Sequence, residues 1–161
     1  MSSRIAIIGA GPIGLEAAAF AVQHGFEVTV LERGRVADNG RSWGHVRLFS
    51  PFAMNISPWG RAALEECGYE KIPANDALLT GCEFAEQYLI PLSQHPQLVG
   101  IVRENTEVIA IGRADCWKGD LIGGSRQESP FRILVRSQNG EQLIESDFVL
   151  DCSGTVSYTH L

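Results

Sequence analysis

Three glycines and one acid carry the most specific chemistry in this sequence. Gly9, Gly11 and Gly14 fall in the spacing G-x-G-x-x-G, and Glu32 follows 18 positions after the last of them. In such a run the first glycine permits a tight turn. The second leaves the backbone open to a pyrophosphate, and the third lets a helix pack close to a strand. Pro12 suits a first helical turn, where its missing N–H is no loss. The amides that follow, starting at Ile13, would point at the phosphates, where the helix dipole favours negative charge. An acid about 20 residues beyond the turn accepts hydrogen bonds from ribose 2′- and 3′-hydroxyls and repels a 2′-phosphate. Glu32 therefore favours FAD or NAD over NADP at this site. Arg33, directly after it, either softens that preference or is a solvated surface arginine.

The glycines do this work only between a strand and a helix. Residues 5–8 are apolar and largely β-branched, as a buried parallel strand should be. Residues 15–24 are rich in helix formers, and Gly25 suits the position just past a helix end. Residues 28–32 read as the second strand. Residues 33–52 read as a long loop with a turn signal at Asn39-Gly40, and Trp43, Phe49 and Phe52 argue against disorder there, making it a candidate binding loop. A helical segment, about residues 53–97, follows. Ser57 is expected to cap a short helix that Gly68 ends, and Thr80 and Glu83 form a capping box for a second helix through Phe84, Tyr88, Leu89 and Leu92, which Pro91 kinks or closes. Residues 107–112 and 131–136 read as strands, with a long excursion between them. Asn139-Gly140 is a hairpin turn, and residues 143–150 return as one strand running into Asp151-Cys-Ser-Gly154. The order predicts an α/β, Rossmann-like domain with a parallel sheet, helices and a small antiparallel β excursion.

Composition narrows the function classes. Of 161 residues 45% are hydrophobic, enough for one domain with its own core, and the net charge of −6 argues against a nucleic-acid-binding surface. No apolar run approaches the roughly 20 residues of a membrane span, and the N-terminus enters the first strand without the layout of a signal peptide. A cytoplasmic location, no membrane contact and a small-molecule substrate are the expectations. Cys67, Cys82, Cys116 and Cys152 form no CxxC or CxxxxC pair, so they read as buried free thiols and indicate no metal site.

Four segments together resemble two-dinucleotide-domain flavoproteins, and most closely the flavin-containing monooxygenase-like branch: Ile8-Gly-Ala-Gly-Pro-Ile-Gly14, Leu31-Glu-Arg33, Asn39-Gly-Arg-Ser-Trp43 and Val149-Leu-Asp-Cys-Ser-Gly154. The resemblance spans residues 4 to about 155. It departs from the family in lacking the first glycine of the Gly-Gly-x-Trp-like element and in carrying Cys152 where the strand end has Ala. It implies FAD as the bound cofactor and NAD(P)H as co-substrate. The family pattern places residues 9–14, including Pro12 and Ile13, at the pyrophosphate and Glu32 at the ribose, with Arg33 beside the adenosine. Gly40, Ser42, Trp43 and Arg47 would approach the flavin or the phosphates, Val108 would meet the adenine through its backbone, and Ser153 and Gly154 would pass close to the cofactor. Each has a plainer alternative: Trp43 as core, Arg47 as a surface charge, His45 as an ordinary loop histidine rather than an acid–base group, Ser153-Gly154 as a turn. No side chain stands out as a nucleophile or base, as is expected where a flavin carries the chemistry.

The family also carries a second glycine loop for NAD(P)H and a late segment completing the FAD site. Neither occurs here, so residues 1–155 read as a partial N-terminal FAD/NAD(P)-binding domain, incomplete at its C-terminus, and residues 156–161 as a non-native tail. The expected reaction is hydride transfer from nicotinamide to flavin, then electron transfer to oxygen or an organic acceptor, with a monooxygenase first. A thioredoxin-reductase-like flavoprotein, a non-catalytic nucleotide-binding module and a direct NAD dehydrogenase are the alternatives.

Overall fold

A computed structural model describes residues 2–113, 116, 119 and 129–154. The expected excursion after residue 113, for the most part, and the expected tail at 156–161 lie outside the described residues. Strand β1 (Arg4–Ile8), helix α1 (Pro12–Gln23) and strand β2 (Glu27–Leu31) form the predicted opening unit. With β3 (Val102–Arg103) and β7 (Phe148–Asp151) they build a parallel four-stranded sheet in the order β3-β2-β1-β7. Strands β4 (Glu107–Arg113), β5 (Phe131–Ser137) and β6 (Gly140–Ser146) form a separate antiparallel sheet.

The two-residue alternation of β1 divides the core. Ile5 and Ile7 join the apolar cluster under α1, whereas Ala6 joins Leu31, Ile133, Val135, Val108 and Val149 on the other face, between the two sheets. Residues 143–150 are not one strand, as their sequence suggests, but two that belong to different sheets. The change occurs at Ser146 and Asp147. Buried Ser146 lies within hydrogen-bonding distance of the carbonyls of Arg4 and Phe148, at 3.0 and 2.8 Å. The Asp147 carboxylate accepts from the Arg4 amide at 2.8 Å and its guanidinium at 3.0 Å. These side chains anchor the corner to the start of β1, so the chain leaves one sheet and enters the other.

Between β2 and β3 the helical segment packs into the same core as α1. Helix α2 (Asp38–Ser42) runs over the Asn39-Gly40 pair that reads as a turn, a correction to the sequence reading. Ser57 caps α3 (Pro58–Glu66), accepting from the amides of Trp59 and Gly60. The Thr80–Glu83 capping box opens α4 (Gly81–Phe84), and the amide and hydroxyl of Thr80 hold the Glu83 carboxyl below its ordinary range. The helix continues as a π turn at Ala85–Leu89 and then α5 (Ile90–Ser93). Pro91 supplies the cause: it has no N–H, and its ring would meet the carbonyl four residues back in a regular helix, so the wider turn accommodates it. The thiols are less buried than expected. Cys67 is exposed, and Cys82, Cys116 and Cys152 are partly so. Cys67 is the cap residue of α3 and lies outside its apolar stripe.

Candidate functional site

The sheet order creates the site. From β1 the chain goes through α1 to β2 on one side, whereas β7 lies on the other. Such a switch point opens a crevice beyond the carboxyl ends of the two strands, where ligands of open α/β sheets bind. The glycine loop leaves β1 there, and Asp151, Cys152 and Ser153 leave β7 beside it.

The three motif glycines differ in what the protein itself requires of them. Gly9 has φ +98, its amide donates to Leu31 O at 2.8 Å, and a Cβ on it would stand 2.7 Å from Cys152 O. A Cβ on Gly14 would collide with Gly9 O, because the first turn of α1 packs directly on the loop. Gly11 is under no such constraint. Its φ of −82 suits any residue, and a Cβ there would meet nothing within 4 Å. No side chain caps α1, Pro12 occupies its first turn, and Pro12 and Ile13 are exposed. The loop thus presents uncapped helix amides to open space, a cradle with the sign for a phosphate group.

Glu32 is held against this loop. Its Oε2 accepts from the Ala10 amide at 2.7 Å and its Oε1 from the Gly34 amide at 2.8 Å. A carboxylate has about four acceptor positions, so two remain for ribose hydroxyls. The end of β3 and the residues after it clamp the same segment. The Glu32 amide donates to Arg103 O at 3.0 Å, the Thr106 amide to Glu32 O at 2.8 Å and the Asn105 amide to Gly34 O at 2.8 Å. Glu104 Oε1 accepts from the Val36 amide at 2.7 Å. Sequence reasoning missed this clamp. Its only sign is Asn105, a residue type tolerant of the positive φ, here +50, that the turn requires. Ala37 was also missed: it sits at φ +60 and donates to Ala10 O at 3.1 Å, bringing the start of α2 to the glycine loop. Ser153 donates its hydroxyl and amide to Asp151 Oδ1, at 2.6 and 3.1 Å, which holds the Asp151 carboxyl below its ordinary range.

The remaining expected site residues are less tightly grouped. Arg33 is exposed beside Glu32. Gly40 and Ser42 lie on α2, where the Ser42 hydroxyl donates to Asn39 O at 2.7 Å. Trp43 is half-buried and lies across Gly81, whose Cβ would come 2.5 Å from its ring. Arg47 faces the helical segment, its guanidinium donating to Leu78 O and its backbone bridging Thr80. Val108 packs its side chain between the sheets on β4, and His45 is exposed. Gly154 takes φ +85 immediately after Ser153. Residues 9–14, Glu32, Ser153 and Gly154 are therefore gathered at one crevice, whereas the guanidinium of Arg47 and the side chain of Val108 point elsewhere. Among the described residues there is no group of acids, histidines or cysteines that could hold a metal, and no helix long and apolar enough to cross a membrane.

A parallel sheet with a glycine loop, an uncapped helix N-terminus and an acid at the end of β2 defines an α/β dinucleotide-binding protein. The family model of FAD-dependent oxidoreductases matches residues 4–102, and the chain belongs to that family. Solved structures of the same fold include OTEMO in complex with FAD and NADP. It is 17% identical with a TM-score of 0.67, over 100% of this chain and 27% of that one. The bacillithiol disulfide reductase Bdr (YpdA) from Bacillus cereus is 17% identical with a TM-score of 0.66, over 100% and 43%. A flavoprotein/dehydrogenase from Cytophaga hutchinsonii is 18% identical with a TM-score of 0.60, over 96% and 40%. The chain thus spans less than half the length of these proteins. No curated protein matches it.

Proposed function

We propose that this chain binds FAD at the crevice between β1 and β7 and is the FAD-binding part of an NAD(P)H-linked oxidoreductase of the monooxygenase type. One observation carries the cofactor reading: Gly11 is a glycine that the protein's own packing and backbone do not require. A ligand that approaches the backbone closely does require it. In this reading residues 9–14 receive the pyrophosphate at the N-terminus of α1. The two unused acceptor positions of Glu32 take ribose hydroxyls, and Arg33 lies along the adenosine. Gly40, Ser42 and Trp43 face the flavin half, Ser153 and Gly154 border the crevice, and Val108 meets the adenine through its backbone only, while the Arg47 guanidinium is taken up by Leu78 O. Bound flavin would supply the redox chemistry, while the protein's residues bind it, orient it and shield it from water.

The monooxygenase type is supported by the likeness of the segment ending at Trp43 to the corresponding family element. A disulfide-reductase type is the second reading, favoured by the likeness in fold to Bdr. The four free cysteines of this chain form no redox pair, which speaks against a glutathione-reductase type and leaves a thioredoxin-reductase type open. Titration of the chain with FAD, followed by flavin fluorescence, tests the cofactor reading. Saturable one-to-one binding is expected, and a chain that leaves free FAD unchanged refutes it. NAD(P)H consumption measured with oxygen and with a disulfide as alternative acceptors separates the two types.

A further inference from the structure

We propose that Glu16 is a positioning residue for the cofactor: it holds residues 40–47 in register with the glycine loop, acting through the continuous helix of residues 81–93. The inference rests on the FAD reading above. Glu16 lies on α1, two residues beyond Gly14, and the helical segment takes up its carboxylate. Oε1 accepts from the Ser57 amide at 3.1 Å and the Tyr88 hydroxyl at 2.5 Å. Oε2 accepts from the Ser57 hydroxyl and from the Gly60 amide at 3.2 Å. The contact is built tightly. A Cβ on buried Gly60 would stand 2.5 Å from Glu16 Oε2 and collide with the Tyr88 hydroxyl. Ser57 and Gly60 belong to the N-terminal turn of α3, where a carboxylate complements the helix dipole. Burial, followed by the neighbouring Glu16, pushes the Tyr88 phenol far up, so it remains a donor at any ordinary pH.

The same helix meets the candidate flavin-side segment at its other end. The Gly81 amide donates to Val46 O and the Cys82 amide to Gly44 O, each at 3.0 Å, and Trp43 lies on Gly81. Tyr88 stands seven residues further along the same continuous helix. The two parts of the proposed site are thereby joined twice. Ala37 N–H to Ala10 O joins them directly, and Glu16, Tyr88 and Gly81 join them through the helix. The ADP half of FAD would meet residues 9–14 and Glu32, which do not depend on the second link. The flavin half would meet residues 40–47, which do.

The experiment is calorimetric titration of the chain and of its Glu16→Gln and Tyr88→Phe variants with FAD and, separately, with ADP. Glu16→Gln keeps the side-chain shape but turns an NH2 group toward N–H and O–H donors. Tyr88→Phe keeps the ring packed against Phe52 and Phe84 and removes one donor. The expected result for Glu16→Gln is about a tenfold weaker FAD affinity, the equivalent of one charged hydrogen bond, with ADP affinity unchanged. Tyr88→Phe should act in the same direction, and the double variant should be no worse than Glu16→Gln alone. Should Glu16→Gln not fold, Tyr88→Phe carries the same FAD-against-ADP comparison. Unchanged FAD affinity, or an equal loss for both ligands, overturns the positioning role. A parent chain that binds neither ligand overturns the FAD reading, and this proposal with it.

Discussion

Replacing Gly11 by Ala separates a glycine kept for a ligand from one kept for the fold. The added methyl meets nothing within 4 Å, and φ is −82, so no clash or backbone strain follows. Two small effects on the folded chain oppose each other. Loss of unfolded-state freedom stabilises by about 0.4–1 kcal/mol. Alanine at an N-cap position is poorer than glycine by a comparable amount, of order 1 kcal/mol or less. Stability without ligand should therefore stay within about 0.5 kcal/mol of the parent. FAD binding should weaken. The methyl displaces a phosphate from the uncapped amides of α1, sacrificing charge–dipole attraction of up to about 2 kcal/mol and at least one charged hydrogen bond worth about 1.5–3 kcal/mol. Together these correspond to a loss of between about tenfold and several thousandfold in affinity. Urea unfolding of the ligand-free chain gives the first quantity, and FAD titration the second. A Gly11→Ala variant that binds FAD like the parent refutes the pyrophosphate assignment. One that unfolds at markedly lower urea refutes the claim that the space is open.

Gly9→Ala should behave in the opposite way, destabilising the ligand-free chain by several kcal/mol because φ is +98 and the methyl would stand 2.7 Å from Cys152 O; urea unfolding checks it. Glu32→Ala strands two loop amides and should lower both stability and FAD affinity by about 1–3 kcal/mol each, read from urea unfolding and FAD titration. Arg4 holds the Asp147 carboxyl below its ordinary value, so this contribution to stability is present above about pH 4 and is lost as pH falls through the folded-state value. Unfolding of Asp147→Asn across the acid range should show a flatter decline than the parent. Cys67 should react first with a thiol reagent and Cys152 slowly, since burial pushes the Cys152 thiol up; mass spectrometry of partially labelled protein checks the order.

The opening unit was legible because each of its signals is local. The glycine spacing, the proline at the start of α1, Gly25 after its end and the Thr80–Glu83 capping box all act within a few residues. What escaped depends on distant partners. Strand β3 has two residues, too few for any periodicity, and exists because Val30 and Leu31 pair with it. The division between β6 and β7 is set by Arg4, more than 140 residues away in the chain, while the apolar pattern runs through it uninterrupted. Asn39-Gly40 carries a turn signal, yet the contact of Ala37 with Ala10 starts a helix there. At the candidate site, the sequence named the glycines and Glu32, but its one sign that residues 103–106 brace that acid is Asn105, which does not reveal the partner.

The close approach of Gly9 to Cys152 also constrains how the molecule is made. The Cys152 amide donates to Ile8 O at 2.8 Å, so the first strand is completed by nearly the last described residues. Contacts of such sequence separation form late, because the loop between them must be ordered first. During synthesis the glycine loop emerges early but must wait for β7 before one wall of its crevice exists. Acquisition of FAD-binding competence should therefore lag behind formation of the β1-α1-β2 unit, so that cofactor capture reports the finished fold rather than nucleating it.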